Sequence, residues 1–134
     1  NGWLTVMAVA DIRNTSDLAS YSNKIGDKGK NWGITAQGNW YIELPADECE
    51  NYSPNGCYKL ITGTSFSAPV VTAAVANVWT KFPWMDNHLV TMTILSSADK
   101  SGHKGEQTES PDETFGWGIL NQDRALGGPG RLDK

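Results

Sequence analysis

The chain has 134 residues, of which 39% are hydrophobic and 19% are charged, a composition typical of a globular protein long enough to bury a core. The net charge of −4 and the lack of a basic cluster argue against nucleic acid or an anionic membrane surface as the main partner. The longest apolar stretch ends at Lys81, too early to span a bilayer, and no signal peptide is visible at Asn1. We therefore expect no membrane contact from this chain.

Four segments in the first part of the chain are predicted to be extended from their apolar or β-prone composition. They are residues 3–10, 18–23, 32–38 and 40–44. The intervening residues 11–17 are polar and predict a turn, and the glycine-containing residues 26–31 predict a loop. Pro45 then ends the fourth extended segment.

Cys49 and Cys57 flank a short acidic segment that ends in an Asn-Gly turn signal. A disulfide closing this hairpin-like loop would stabilise the fold by about 2.5 kcal/mol in the chain-entropy model and would imply an oxidising compartment. The alternative is a pair of free thiols on a loop. A zinc site is not predicted, because there are only two cysteines and His88 and His103 lack ligand spacing.

The centre of the chain predicts a strand, a glycine turn and a buried helix. Residues 58–62 form the strand, and Gly63 can adopt backbone angles that other residues avoid. Pro69 is tolerated in a first helical turn, so the helix is predicted to begin just before it. Residues 70–79 are apolar almost all the way round, which is typical of a helix inside a domain.

Three hydroxyl side chains, those of Thr64, Ser65 and Ser67, lie at the predicted start of this helix. Each can accept a hydrogen bond from the free N–H groups there, so one interpretation is that they only cap the helix. The other interpretation is catalytic. A hydroxyl at a helix N-terminus lies beside unpaired N–H donors, where an attacking serine and a developing oxyanion are stabilised.

The second half predicts two more helices. Residues 82–84 end the central helix, and Asp86 or Asn87 caps the next one. The predicted core face of that second helix comprises Leu89, Met92, Thr93 and Leu95. Residues 101–114 predict an exposed loop and residues 115–121 a compact extended segment. Finally, Asn121 or Asp123 is predicted to cap a short helix that ends before the glycines at 127 and 128, with residues 131–134 forming a tail.

The string Gly-Thr-Ser-Phe-Ser-Ala-Pro at residues 63–69 closely resembles the Gly-Thr-Ser-x-Ala/Ser-x-Pro signature of subtilisin-like serine proteases, the subtilases. The resemblance implies that Ser65 is the nucleophile and that its backbone N–H helps to hold the oxyanion. Gly63 and Thr64 would support the motif, Ser67 would be its second small residue, and Pro69 would lie in the first turn of the nucleophile's helix. A lipase-like hydrolase fits less well, because the string lacks the Gly-x-Ser-x-Gly elbow.

Other segments resemble subtilases in the same order along the chain. They are residues 6–10, 19–23, 36–38 and 115–121. Residues 19–23 resemble Ala-Ser-Phe-Ser-Asn/Ser, and residues 36–38 stand where subtilases carry Ala-Pro-Gly. Gln37 replaces the proline there, and we expect this change to soften the end of the strand. Val70 replaces a histidine that is not catalytic. Residues 82–84, the Phe-Gly-Trp-Gly string at 115–118 and the Gly-Pro-containing exit after it look most like subtilases of bacterial autotransporters. The resemblance to subtilases implies an α/β, three-layer fold with a mostly parallel sheet and a buried nucleophile helix.

Subtilases carry their catalytic residues in the order Asp, His, Ser. No histidine precedes Ser65 here, while Asp11 and Asp17 lie in the wrong segments for the catalytic aspartate. His88 and His103 are interpreted as solvated surface residues rather than as a local base. By this resemblance residues 1–134 are the C-terminal portion of a subtilase catalytic domain, and an N-terminal segment would supply the Asp, the His and the oxyanion Asn.

The resemblance implies a secreted or cell-surface serine endopeptidase that acts on polypeptide substrates once it is assembled with the N-terminal segment. Alone, the chain is predicted to be inactive and to expose sheet edges and an apolar face. The alternative is a non-catalytic remnant or interaction module. No cofactor is predicted, although subtilases often bind calcium and Asp112 and Glu113 are the residues considered for such a site.

Overall fold

The computed structural model of the protein describes residues 3–9, 18–50, 56–99 and 111–128. Within these ranges the strands are β1 (Thr5–Val9), β2 (Gly33–Gln37), β3 (Asn39–Glu43) and β4 (Tyr58–Thr62). The α-helices are α1 (Gly26–Gly29), α2 (Thr64–Lys81), α3 (Asn87–Ser96) and α4 (Gln122–Ala125). Short 3₁₀ turns occupy Lys30–Trp32 and Ala46–Glu48. None of these helices is both long enough and apolar enough to cross a membrane.

The central sheet is built from a parallel pair, β1 and β2, in a register that runs from Thr5 opposite Gly33 to Val9 opposite Gln37. On its other side, β2 forms backbone hydrogen bonds with the extended segment at residues 118–120. Thr35 donates its N–H to Gly118 and accepts from Leu120, each over 2.8 Å. α2 packs against both strands and α3 packs against α2, which gives an α/β arrangement around a parallel sheet.

The core lies between β2 and the two longer helices. Its buried residues are Ile34, Ala36, Val71, Ala74, Val78, Met85, Val90, Ile94, Leu95, Ala98 and Ala125. Only one face of α2 contributes to this core, and the opposite face is exposed in the described parts of the chain. The buried inner face agrees with the predicted core helix, and the exposed outer face agrees with the apolar face that the chain alone is predicted to expose.

A separate antiparallel hairpin, β3 and β4, carries the chain into α2. Its register runs from Asn39 opposite Thr62 to Glu43 opposite Tyr58. The predicted cysteine pair is bonded in the structure: Cys49 and Cys57 form a disulfide with their Cα atoms 6.2 Å apart. The hairpin is thus closed covalently at the end opposite the central sheet.

Two local predictions in the first half are wrong. Residues 26–31 form α1 and a 3₁₀ turn instead of a loop, because Ile25 packs over Gly29 and Gly33 and Lys30 pairs with Asp27 over 3.2 Å. Residues 18–23 turn rather than extend. Two backbone bonds fix this turn, from the Ala19 N–H to the carbonyl of Ala8 and from the Ser22 N–H to that of Ala19, over 2.8 and 2.9 Å.

The cap of α3 is as predicted, but its buried face is rotated. The Asp86 carboxylate accepts a hydrogen bond from the Leu89 N–H over 2.7 Å, which is the geometry of an N-cap. The buried residues of α3 are Val90, Thr93, Ile94 and Leu95. Leu89 and Met92 are only half-buried, because contact with α2 sets which side of α3 faces the core.

Some predictions fall outside the described residues. They concern Asp11, Asp17, His103, the asparagine of the Asn-Gly turn before Cys57, the part of the predicted loop at 101–110 and the tail at 131–134. The end of the chain that is described agrees with expectation: the Asn121 side chain accepts a hydrogen bond from the Arg124 N–H over 3.0 Å and caps α4.

Candidate active site

The site is a sharp turn between β4 and α2. Gly63 links them with a φ of 147° and a ψ of 152°, a conformation that L side chains rarely adopt. Its N–H donates to the carbonyl of Gly38 over 3.1 Å, and its own carbonyl accepts from the N–H of Phe66 over 3.0 Å. Glycine is therefore required here by conformation, and the turn is held against the end of β2.

Ser65 is an exposed residue in the first turn of α2. Its backbone N–H is one of the first four of the helix, which have no carbonyl partner within the helix. The positive end of the helix dipole lies at the same place. The Ser65 hydroxyl is thus accessible beside N–H groups able to stabilise negative charge on a neighbouring oxygen.

Ser67 lies on the opposite side of α2. It is 0% exposed, and its hydroxyl has no hydrogen-bond partner among the described residues. The alternative interpretation, that the motif hydroxyls only cap the helix, does not hold here, since the N-cap is Gly63 and no side chain caps it. The two serines differ because they stand two positions apart on a helix, which places them about 200° apart around its axis.

Pro69 lies in the second turn of α2, since the helix begins at Thr64. Its predicted place in the first turn is therefore wrong. Proline lacks an N–H, so the carbonyl of Ser65 has no partner four residues later in the helix. The Pro69 ring is exposed, away from the packed face, and the helix continues through it to Lys81.

Gly38 lies directly beneath the turn and has no room for a side chain. A Cβ atom added to it would stand 2.6 Å from the Tyr21 hydroxyl and 2.8 Å from both the Ala8 Cβ and the Ser67 Oγ. Gly38 also supplies the carbonyl that accepts the Gly63 N–H. The end of β2, the Tyr21 side chain and the first turn of α2 therefore meet at this residue.

The residues around Gly38 are fixed by side-chain hydrogen bonds. The Gln37 side chain donates to the carbonyl of Asn39 over 2.7 Å, and the indole of Trp40 donates to the carbonyl of Gln37 over 3.2 Å. The Gln37 amide thus bridges the corner, and the expected softening of the strand end stays a prediction. The Tyr21 hydroxyl donates to the Asn39 side-chain oxygen.

Sequence reasoning did not assign a role to Tyr21 or Asn39. The available signal was the tyrosine itself, which stands in a segment that resembles Ala-Ser-Phe-Ser and so carries one hydroxyl more than the family pattern. That hydroxyl is the atom that reaches Asn39. The partner was not predictable from spacing, because the two residues belong to separate segments.

His88 is the histidine within the described ranges, and it is exposed in the first turn of α3. α3 follows the C-terminal end of α2, whereas Ser65 lies at its N-terminal end. The helix between Ser65 and Lys81 is about 24 Å long at 1.5 Å per residue. Within the described ranges, therefore, no histidine lies at the Gly63 turn, and His88 is a solvated surface residue as predicted.

The residues considered for calcium are used otherwise or exposed. One carboxylate oxygen of Asp112 accepts the N–H groups of Thr114 and Phe115 over 2.9 and 2.6 Å, and Glu113 is exposed. No group of three or more metal-ligating side chains is found among the residues that the structure describes. Calcium binding by this chain stays a prediction.

The family of this chain follows from its similarity to known proteins. The profile of the Subtilase family matches residues 1–118. The chain belongs to the subtilase family. This subtilase chain is 33% identical over 124 residues to Serotype-specific antigen 1 of Mannheimia haemolytica. The matched region is 92% of this chain and 12% of that protein. The chain is also 37% identical over 97 residues to the Neisserial autotransporter lipoprotein NalP of Neisseria meningitidis serogroup B. That matched region is 72% of this chain and 8% of NalP.

The fold agrees with this assignment. Fervidolysin from Fervidobacterium pennivorans, a keratinolytic enzyme related to subtilisin, matches 98% of this subtilase chain with a TM-score of 0.70 and 26% sequence identity. The match covers 20% of the fervidolysin chain. The predicted family and the predicted α/β, subtilisin-like fold are confirmed. The chain spans at most 12% of the length of the two relatives above, which are much larger proteins.

Proposed function

We propose that this subtilase chain is the nucleophile-bearing part of a serine endopeptidase, with Ser65 as the nucleophile. The observation that carries the proposal is the contrast between the two serines of the motif. The Ser65 side chain is exposed at the start of α2, directly after the Gly63 turn, whereas Ser67 is buried. A side chain with only a structural role has no need for this position. The residues described here supply the nucleophile and one oxyanion donor, the backbone N–H of Ser65.

In the assembled enzyme the Ser65 Oγ attacks a peptide carbonyl carbon while its proton passes to a histidine of a preceding segment. The negative oxygen is held by the Ser65 N–H and by an asparagine of that segment. The C–N bond then breaks, the leaving amine takes the proton from the histidine, and an acyl ester on Ser65 remains. Water hydrolyses this ester and restores the hydroxyl.

The same chemistry predicts that the chain alone is inactive. Loss of one oxyanion donor costs on the order of 10²–10³ in rate. Loss of the catalytic base costs on the order of 10⁶, as in the subtilisin series. An N-terminal segment that provides the aspartate, the histidine and the asparagine is therefore the required partner, and residues 1–134 are the C-terminal portion of the catalytic domain.

The exposed outer face of α2 supports such a partner. Trp79 is 42% exposed there, and Trp3, two residues before β1, is 82% exposed. Both line a groove with Ala68, Thr72 and Val75. Exposed apolar surface of this kind is typical of a contact with another segment or domain. We propose that the N-terminal segment covers it.

A location outside the cytoplasm, secreted or on a bacterial cell surface, follows from two observations. The disulfide between Cys49 and Cys57 is stable in an oxidising compartment. One relative is named as an autotransporter lipoprotein. The substrates would accordingly be polypeptides met outside the cell.

A second candidate function is a non-catalytic remnant or interaction module. The observation behind it is that no histidine among the described residues lies beside Ser65. If the complete protein also lacks a histidine and an aspartate in subtilase contexts, the fold would be retained without the chemistry.

A fluorophosphonate probe separates the two functions. Intact mass under denaturing conditions would be measured for the full-length protein and for the 134-residue chain, each with and without the probe. We expect the probe to label the Ser65 peptide of the full-length protein and to leave the isolated chain and the Ser65→Ala variant unmodified. An unlabelled full-length protein would support the non-catalytic remnant.

A further inference from the structure

We propose that the Tyr21 hydroxyl is a positioning group that holds the nucleophile turn of this subtilase chain against the end of β2. The inference rests on the proposed function, because the turn carries Ser65. Tyr21 touches no reacting atom in this account. It acts on Ser65 through the residues between them.

The first contact is with Asn39. The Tyr21 hydroxyl donates to the side-chain oxygen of Asn39, the first residue of β3. Asn39 stands opposite Thr62 in the hairpin register, and Thr62 is the last residue of β4 before the turn. The hydrogen bond therefore ties the segment that follows β1 to the end of the hairpin from which the turn begins.

The second contact is with Gly38, which lies beneath the turn. The Tyr21 hydroxyl oxygen lies 2.6 Å from the position that a Gly38 Cβ would occupy, so it packs closely on the backbone of that residue. Gly38 in turn accepts the Gly63 N–H over 3.1 Å. The hydroxyl thus stands beside the hydrogen bond that fixes the turn two residues before Ser65.

The ionisation of Tyr21 agrees with this placement. Burial raises the pKa of the phenol above its ordinary value, and a hydrogen bond from the Gly63 backbone opposes that rise without cancelling it. The hydroxyl consequently keeps its proton across the neutral range and stays a donor to Asn39.

Displacement of a nucleophile by even 1 Å can cost on the order of 10² in rate, because attack requires a narrow range of geometries. A change that loosens the Gly63 turn should therefore lower kcat while leaving substrate affinity almost unchanged. Tyr21→Phe removes the hydroxyl and keeps the ring, which makes it the suitable variant. Tyr41→Phe is the matched control, since Tyr41 is 74% exposed on the hairpin.

The experiment uses the full-length protein and a chromogenic peptide substrate. We expect Tyr21→Phe to lower kcat and the rate of fluorophosphonate labelling by about tenfold, the effect of losing one hydrogen bond, with KM changed less than about twofold. Asn39→Ala should have a similar effect, and the double variant should be no slower than either single variant. Tyr41→Phe should match the wild type.

The outcomes separate this inference from the proposed function. If wild type is not labelled, the proposed function fails and the inference fails with it. If wild type is labelled and Tyr21→Phe is labelled at the same rate, only the inference is wrong. A raised KM with unchanged kcat would show a substrate contact instead of positioning, and additive effects of the two single variants would show that Tyr21 and Asn39 act separately. Either result would overturn the inference.

Discussion

The two faces of α2 carry similar small and apolar side chains but differ completely in their surroundings. The inner face consists of Ser67, Val71, Ala74 and Val78, each no more than 3% exposed. The outer face includes Thr72, Ala73, Ala76 and Trp79, all of which are exposed. Because α2 is apolar around most of its circumference, we expect packing partners on both faces. The described residues provide a packing partner for the inner face only. The difference indicates where a partner segment would pack if the proposed assembly is correct.

The largest expected effect separates the two serines on these faces. Ser65→Ala in the full-length protein should reduce peptide hydrolysis by on the order of 10⁶, because it removes the nucleophile. The free energy of unfolding should change by less than about 0.5 kcal/mol, because the residue is exposed. Activity assays and urea unfolding measure both quantities. A Ser65→Ala variant that keeps its activity would contradict the proposed function.

Trp79→Ala tests whether the outer face is covered. In the isolated chain the variant should lose roughly 1 kcal/mol, mainly from the indole hydrogen bond to the carbonyl of Met85, which spans 2.9 Å. In the full-length protein the loss should rise to about 3 kcal/mol, as for a buried aromatic residue. Urea unfolding of both forms gives the comparison. Equal losses in the two forms would mean that no segment packs on Trp79.

Val78→Ala and Val75→Ala compare the same substitution on the two sides of the helix. Val78 is 0% exposed, so its truncation leaves a cavity and should cost about 2 kcal/mol in the isolated chain. Val75 is half-buried and should cost less than about 1 kcal/mol. Urea midpoints at an unchanged m-value measure the difference. A similar decrease in the free energy of unfolding for both variants would show that the difference in burial between Val78 and Val75 does not affect stability.

The smallest effect concerns the buried serine. Ser67→Ala should stabilise the protein by about 1 kcal/mol, since it removes a buried hydroxyl that has no partner among the described residues. Proteolytic activity should be unchanged, in contrast to Ser65→Ala. Thermal unfolding and a peptide assay measure these properties. A loss of stability in Ser67→Ala would instead indicate a hydrogen bond to that hydroxyl in solution.

Much of the fold was predictable because it depends on neighbouring residues. The strand at 58–62 was predicted with the bounds that β4 has, since its composition and the following glycine mark both ends. The Asp86 cap and the Cys49–Cys57 pair are also short-range features. The family followed from the Gly-Thr-Ser motif, and the comparisons confirm it. Ser65 as the nucleophile stays a prediction until it is labelled.

The wrong predictions come from packing contacts that composition and spacing do not reveal, one of them local and the others between separate elements. α1 replaces a predicted loop because Ile25 packs on two glycines. The buried face of α3 is rotated toward Val90 and Ile94 by its contact with α2. Pro69 falls in the second turn because the chain already turns into a helix at Thr64, after a glycine held by the end of β2.

The amino-acid sequence by itself determined the family, the order of strands and helices around the motif, and the candidate nucleophile, because each depends on residue types within a few positions. Only the tertiary structure decided which motif serine is accessible, and it alone placed Tyr21 against the turn. Accessibility depends on where α2 begins and on what packs against it. Those contacts join Ser67 to Gly38 and Tyr21 to Asn39, pairs of residues that local sequence patterns do not connect.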